Sequence, residues 1–126
     1  MEKKIINTPG APAPIGPYSQ AVKAGSMLFI SGQIAIDPAT GTIRNDNIKG
    51  ETQQVMNNLK AILDQAGATF GHVVKTTIFL SEMALFSEVN EVYGSYFKED
   101  FPARETVAVK GLPRNVNVEI SMIASF

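Results

Sequence analysis

Along residues 48–66 the apolar or small positions Ile48, Thr52, Val55, Met56, Leu59, Ile62, Leu63 and Ala66 recur three and four apart, the repeat of one helix face. Gly67 follows where a C-terminal cap takes a residue free to adopt positive φ. A second stripe, Phe86, Val89, Tyr93 and Phe97, is widened by Leu85, Val92 and Tyr96 and predicts a helix from about Met83 to Lys98; Pro102 closes off any continuation. The remaining patterned segments have the shorter period of strands. Val73 to Leu80 is rich in Val, Thr, Ile and Phe. Ser19 to Lys23 and Met27 to Ser31 flank the small-residue turn Ala24-Gly25-Ser26 as a hairpin. Arg104 to Lys110 and Val116 to Ala124 are joined by the turn-rich connector Gly111-Leu112-Pro113-Arg114-Asn115.

The order hairpin, helix, strand, helix, strand, strand predicts an α+β fold, with two helices on one face of a mixed sheet. Two helices cover only that face, yet Val73 to Leu80 and Leu28-Phe29-Ile30 carry apolar residues at both parities. The other face needs a cover, and self-association is the simplest one. The segment Thr8 to Pro17 holds four prolines and two glycines, so it is an extended lead-in, expected to pack along a surface or a neighbouring subunit.

Strand alternation in Val116 to Ala124 puts Val116, Val118, Ile120, Met122 and Ala124 on one face and Asn117, Glu119, Ser121 and Ile123 on the other. Glu119 therefore leaves the core side. It is either a solvated carboxylate or, if another subunit covers that face, a cleft carboxyl with raised pKa suited to acid–base work. Arg104 follows the rigid Pro102-Ala103 approach at the start of its strand. It is either a surface arginine or a fork placed to grip a carboxylate. The same alternation sends Glu105 to the opposite side from Arg104 and Thr106. Asn90 interrupts the apolar stripe of the second helix, so it is either a satisfied hydrogen bonder or a polar group presented to a site.

Composition removes several chemistries. With no cysteine there is no thiol nucleophile, disulfide or Cys-type metal site, and His72 has no second ligand at metal spacing. The glycines Gly25, Gly32, Gly41 and Gly67 form no phosphate-binding fingerprint, so neither a metal nor a nucleotide cofactor is indicated. A net charge of -1 without a basic stripe argues against nucleic acid. The length of 126 residues suits one domain over residues 1–126. The start Met1 to Asn7 lacks an apolar run of signal length and no window is apolar enough for a membrane span, which predicts a cytoplasmic protein.

Five segments taken together go further: Ile15-Gly16-Pro17-Tyr18-Ser19-Gln20, Ser31-Gly32-Gln33, Phe86 to Tyr93, Phe101-Pro102-Ala103-Arg104 and Val118-Glu119-Ile120. They resemble the RidA/YjgF family of reactive-intermediate deaminases over essentially the whole chain. The resemblance implies a chorismate-mutase-like fold, a homotrimer with its sheets packed around a central barrel, and clefts between subunits. It implies hydrolysis of 2-iminobutanoate or 2-iminopropanoate to the 2-oxo acid and ammonia, without metal or cofactor. Arg104 would bind the substrate carboxylate and Glu119 would activate water and handle its proton. Tyr18, Ser31, Gly32 and Asn90 would line the cleft. Family members commonly carry a small residue and then Cys after this arginine; here Glu105 and Thr106 follow, so Thr106 would contribute its backbone groups and Glu105 could weaken the anion site if it reaches the rim.

The first reading is thus a metal-free imine deaminase. The alternative is a non-catalytic regulatory protein binding a small 2-imino or 2-oxo acid in the same cleft. A ribonuclease or translation inhibitor, or a holdase chaperone, stands behind both.

Overall fold

The computed structural model describes residues 2–126. Six strands form one sheet: β1 (Lys3–Ile6), β2 (Ala21–Ala24), β3 (Met27–Gln33), β4 (Val73–Leu80), β5 (Ala103–Ala108) and β6 (Val118–Ser125). Their spatial order is β1-β2-β3-β6-β4-β5. All neighbours run antiparallel except β4 and β5, whose parallel pairing requires a long crossover. The second of the two helices, α1 (Ile48–Gln65) and α2 (Phe86–Gly94), supplies it. This is the α+β arrangement expected, with two helices and a mixed sheet.

The periodicities explain the elements. Asn47 caps α1 by accepting the Gly50 amide at 2.7 Å, and Gly67 beyond its end has a φ of +77°. Along α1 the buried residues Val55, Met56, Leu59, Ile62 and Leu63 form one face. On the sheet side Leu28 and Ile30 of β3, Ile78 and Leu80 of β4, and Ile120 and Met122 of β6 meet them. Burying each such side chain contributes roughly 1.5–3 kcal/mol. The strict alternation of β6, buried at Val118, Ile120, Met122 and Ala124, sets its other side chains on the face without helices.

That second face is open. Ile5, Val22, Phe29 and Ile123 are register partners in succession, so an apolar row crosses four strands; Ile5 and Phe29 are exposed. Exposed Val107 adds to it from β5.

Three features differ from expectation. Lys3–Ile6 forms the edge strand β1, which two lysines and only two apolar residues hid; edge strands favour such lysines because they discourage further pairing. The second helix begins with a 3-10 turn, Met83–Leu85, and its α-helical part stops at Gly94 instead of reaching Lys98. From there the amides of Ser95, Tyr96 and Phe97 bond three residues back, tightening the chain into turns that keep Tyr96 and Phe97 on the core. Finally, β5 ends at Ala108, since it has only β4 to pair with.

Candidate functional site

The sequence-predicted residues gather in two places, on opposite faces of the sheet. The first lies on the open face at a bulge in β3. Ile30 pairs with Met122 and Gln33 with Ile120, so three steps on β3 face two on β6 and Ser31-Gly32 are thrown outward together. The Ser31 hydroxyl donates to the Ser19 carbonyl at 2.6 Å, and its amide donates to the Gln20 carbonyl at 2.9 Å. Gly32 lies under Glu119: a Cβ at that position would stand 2.6 Å from Glu119 Oε2. Glu119 is half-buried here, and burial pushes its carboxyl above the ordinary 4.5.

Around Glu119 is a cavity of about 360 Å³, lined by Pro12, Ala13, Ile15, Tyr18, Gln20, Ser31, Gly32, Gln33, Ile34, Ile36, Pro113 and Glu119. Its outer wall is the proline-rich lead-in, which packs against the body as expected. Gln20, 2% exposed, holds that wall. Its Oε1 accepts the Thr8 amide at 2.7 Å, and its Nε2 donates to the carbonyls of Thr8 and Pro12 at 3.0 Å and of Ala11 at 3.3 Å. Since prolines leave that segment poor in backbone donors, one buried amide replaces a strand partner.

The second place lies on the helix side of the edge strand β5. Arg104 is the register partner of Thr76 on β4, and neighbouring partners share a face. Its Nη1 donates to Asn90 Oδ1 at 2.7 Å. Its guanidinium carbon lies 5.1 Å from the ring centre of Tyr93 and 5.7 Å from that of Phe86. The Tyr93 hydroxyl donates to Thr76 Oγ1 at 2.9 Å. A shallow pocket of about 280 Å³ opens between Asn90, Tyr93, Gly94, Phe101, Pro102 and Arg104. Two residues along β5 on the same side, the Thr106 hydroxyl is buried without a hydrogen-bond partner. Asn90 thus interrupts the apolar stripe because it receives the arginine.

Glu105 turns away from this pocket, as strand alternation requires. On the open face it accepts the Thr77 hydroxyl at 2.7 Å and pairs with Lys75 at 3.0 Å, and these hold its carboxyl below the ordinary range. Within one chain it does not reach Arg104. His72 Nδ1 accepts the Thr69 amide at 3.0 Å and closes a capping box.

Sequence reasoning did not single out Gln20, Phe86 or Tyr93 for the site. Phe86, Asn90 and Tyr93 are spaced four and three apart, one polar residue between two aromatics on a helix face, and that pattern was the available signal.

A family model described as Endoribonuclease L-PSP matches residues 8–126. The chain belongs to this YjgF/RidA family. A RutC family protein of Pyrococcus horikoshii is 53% identical over 122 residues, 97% of each chain. The chloroplastic Reactive Intermediate Deaminase A of Arabidopsis thaliana is 43% identical over 125 residues, which is 99% of this chain and 67% of that protein. Among solved structures, E. coli TdcF with bound serine superimposes with a TM-score of 0.93 at 40% identity, covering 98% of each chain. Both groups of residues, around Glu119 and around Arg104, lie within the matched residues 8–126. No helix among the described residues is long and apolar enough to cross a membrane.

Proposed function

We propose that the chain is a hydrolytic deaminase of small 2-imino acids, taking 2-iminobutanoate or 2-iminopropanoate to the 2-oxo acid and ammonia, in a homotrimer whose sites lie between subunits. The observation that carries the reading is the separation of Arg104 from Glu119. A carboxylate anchor on the helix side of an edge strand and a proton-handling carboxyl on the open face do not meet in one chain. They meet if the β5 edge of one copy approaches the open face of another, which also covers the apolar row Ile5, Val22, Phe29 and Ile123.

In that arrangement Arg104, already bound to Asn90, grips the substrate carboxylate with its remaining N–H groups and fixes the adjacent imine carbon. Glu119 takes a proton from water as the oxygen bonds to that carbon and passes it to the imine nitrogen, giving a carbinolamine; it then takes the hydroxyl proton as C=O forms and delivers it to nitrogen as the C–N bond breaks and ammonia leaves. Ser31, Gly32 and Tyr18 line the cleft beside it, and Thr106 contributes its backbone groups. Such imines hydrolyse unaided, so a lowering of a few kcal/mol suffices, at ~1.4 kcal/mol per tenfold in rate.

The deaminase name of the Arabidopsis relative supports the reaction, and serine bound to the TdcF structure supports a site that holds an α-carboxylate. That serine equally favours the second reading, a regulatory protein that binds such acids without turnover. The protein's absence of net positive charge disfavours RNA as substrate despite the family model's description. The deciding experiment couples the purified protein to threonine dehydratase with semicarbazide as imine trap. The wild type is expected to divert imine from the trap and Arg104→Ala to lose at least tenfold of that activity. Binding of 2-oxobutanoate with no diversion of imine would select the regulatory reading.

A further inference from the structure

The α2 face that meets Arg104 bonds its guanidinium and also sets two aromatic rings beside it. Phe86, Asn90 and Tyr93 stand at the first, fifth and eighth positions of α2, hence on one side of the helix. Asn90 takes one N–H of Arg104, and the two rings lie within cation–π reach of its carbon. Tyr93 is 4% exposed and its hydroxyl is tied to Thr76. Thr76 is fully buried and is the direct register partner of Arg104. The helix and the edge strand are thus referenced to the same β4 residue.

We propose that Tyr93, held by Thr76, is a positioning residue that fixes the plane of the Arg104 guanidinium before substrate arrives. This rests on the reading of Arg104 as the carboxylate anchor. Arg104 forms no ion pair among the described residues, and an unpaired arginine on an edge strand would otherwise sample many rotamers. Contact with Tyr93 restricts that freedom in advance while Arg104 still lines the pocket. Binding of a carboxylate then orders fewer bonds, so the effect falls on affinity and not on the chemical step.

The test measures 2-oxobutanoate affinity by calorimetry and KM and kcat for imine hydrolysis, in wild type, Tyr93→Phe, Tyr93→Leu and Phe86→Leu. Tyr93→Leu is expected to weaken binding and raise KM roughly 5- to 30-fold, the range a partly desolvated cation–π contact accounts for, with kcat within about threefold. Tyr93→Phe keeps the ring but loses the tie to Thr76, so its KM is expected to rise above wild type and less than in Tyr93→Leu. A merely structural role for Tyr93 would lower Tm and the folded fraction while leaving KM per folded site unchanged. Tyr93→Leu with wild-type KM overturns the proposal; if that variant does not fold, wild-type KM in Tyr93→Phe does so. Wild type that neither binds 2-oxobutanoate nor hydrolyses imine overturns the functional reading and the positioning role with it, whereas tight wild-type binding that both leucine variants match overturns the positioning role alone.

Discussion

Arg104 and Glu119 project from opposite faces of one sheet, with β4 between their strands. If the active site needs both, no single chain contains it, and inactive variants should complement each other. Arg104→Ala and Glu119→Gln, each inactive alone, are expected to regain activity when unfolded together and reassembled. Random mixing in a closed ring with one-way contacts pairs an intact Arg104 with an intact Glu119 at about a quarter of the sites, so about a quarter of wild-type activity should return. A mixture that stays as inactive as its components would place both groups within one subunit and defeat the interfacial site.

Gly32 and Glu119 make a second, closer pair. The glycine has no positive φ to protect, so alanine fits its backbone. Its Cβ would nevertheless fall 2.6 Å from Oε2, 2.9 Å from Cδ and 3.1 Å from Cγ of Glu119. Since the carboxyl terminates a flexible side chain, the side chain will move and the fold will not. Gly32→Ala is therefore expected to lower kcat tenfold or more with Tm within a few degrees of wild type. Retained kcat in a folded Gly32→Ala protein would mean that the position of Glu119 is not critical.

The pH dependence follows from the environment of Glu119. Burial raises its carboxyl above the ordinary 4.5, so as a base it is lost from the ionised form at a higher pH than a free glutamate. Activity should fall as pH drops through a midpoint above 4.5, and Glu119→Gln should be low and flat across that range. The stability effect has the opposite direction. Folding disfavours the charged form, so the contribution of Glu119 is fully present below 4.5 and lost as pH rises through its folded value. Tm of Glu119→Gln relative to wild type should accordingly be higher at pH 8 than at pH 4. A rate profile with an acid midpoint at or below 4.5 would reject Glu119 as the base.

Much of this was legible in the sequence because one-dimensional periodicity encodes it. The alternation of β6 assigned Glu119 to the face away from the core, and the alternation of β5 separated Glu105 from Arg104; the structure has both. The α1 stripe gave that helix to within a residue. What stayed hidden depends on contacts between distant segments. The Ser31-Gly32 bulge arises only from pairing with β6. Gln20 clamps a segment 8–12 residues upstream, and nothing in its own neighbourhood marks it as buried. Lys3–Ile6 becomes a strand only because β2 offers an edge. That Arg104 and Glu119 lie on different faces required knowing that Arg104 sits beside Thr76 while Glu119 sits beside Phe79.

Glu51 shows the same limit and supplies the last test. In the first turn of α1 its carboxylate is fully buried. Oε2 accepts the amides of Asn117 at 2.7 Å and Val118 at 3.0 Å, and Oε1 accepts Asn117 Nδ2 at 3.0 Å. The bond is placed where β3 no longer accompanies β6, whose last partner there is Gln33 opposite Ile120. Glu51 thus ties α1 to the start of the strand that carries Glu119. Glu51→Gln keeps the volume but turns an amide NH₂ toward donors that need an acceptor, so it should cost roughly 2–4 kcal/mol by denaturant unfolding, and Glu51→Ala more, because three donors lose their partner. Amide hydrogen exchange at Asn117 and Val118 should speed up in both variants ahead of the rest of β6. Glutamine at wild-type stability with protected amides at 117 and 118 would show that the strand is held by β4 alone.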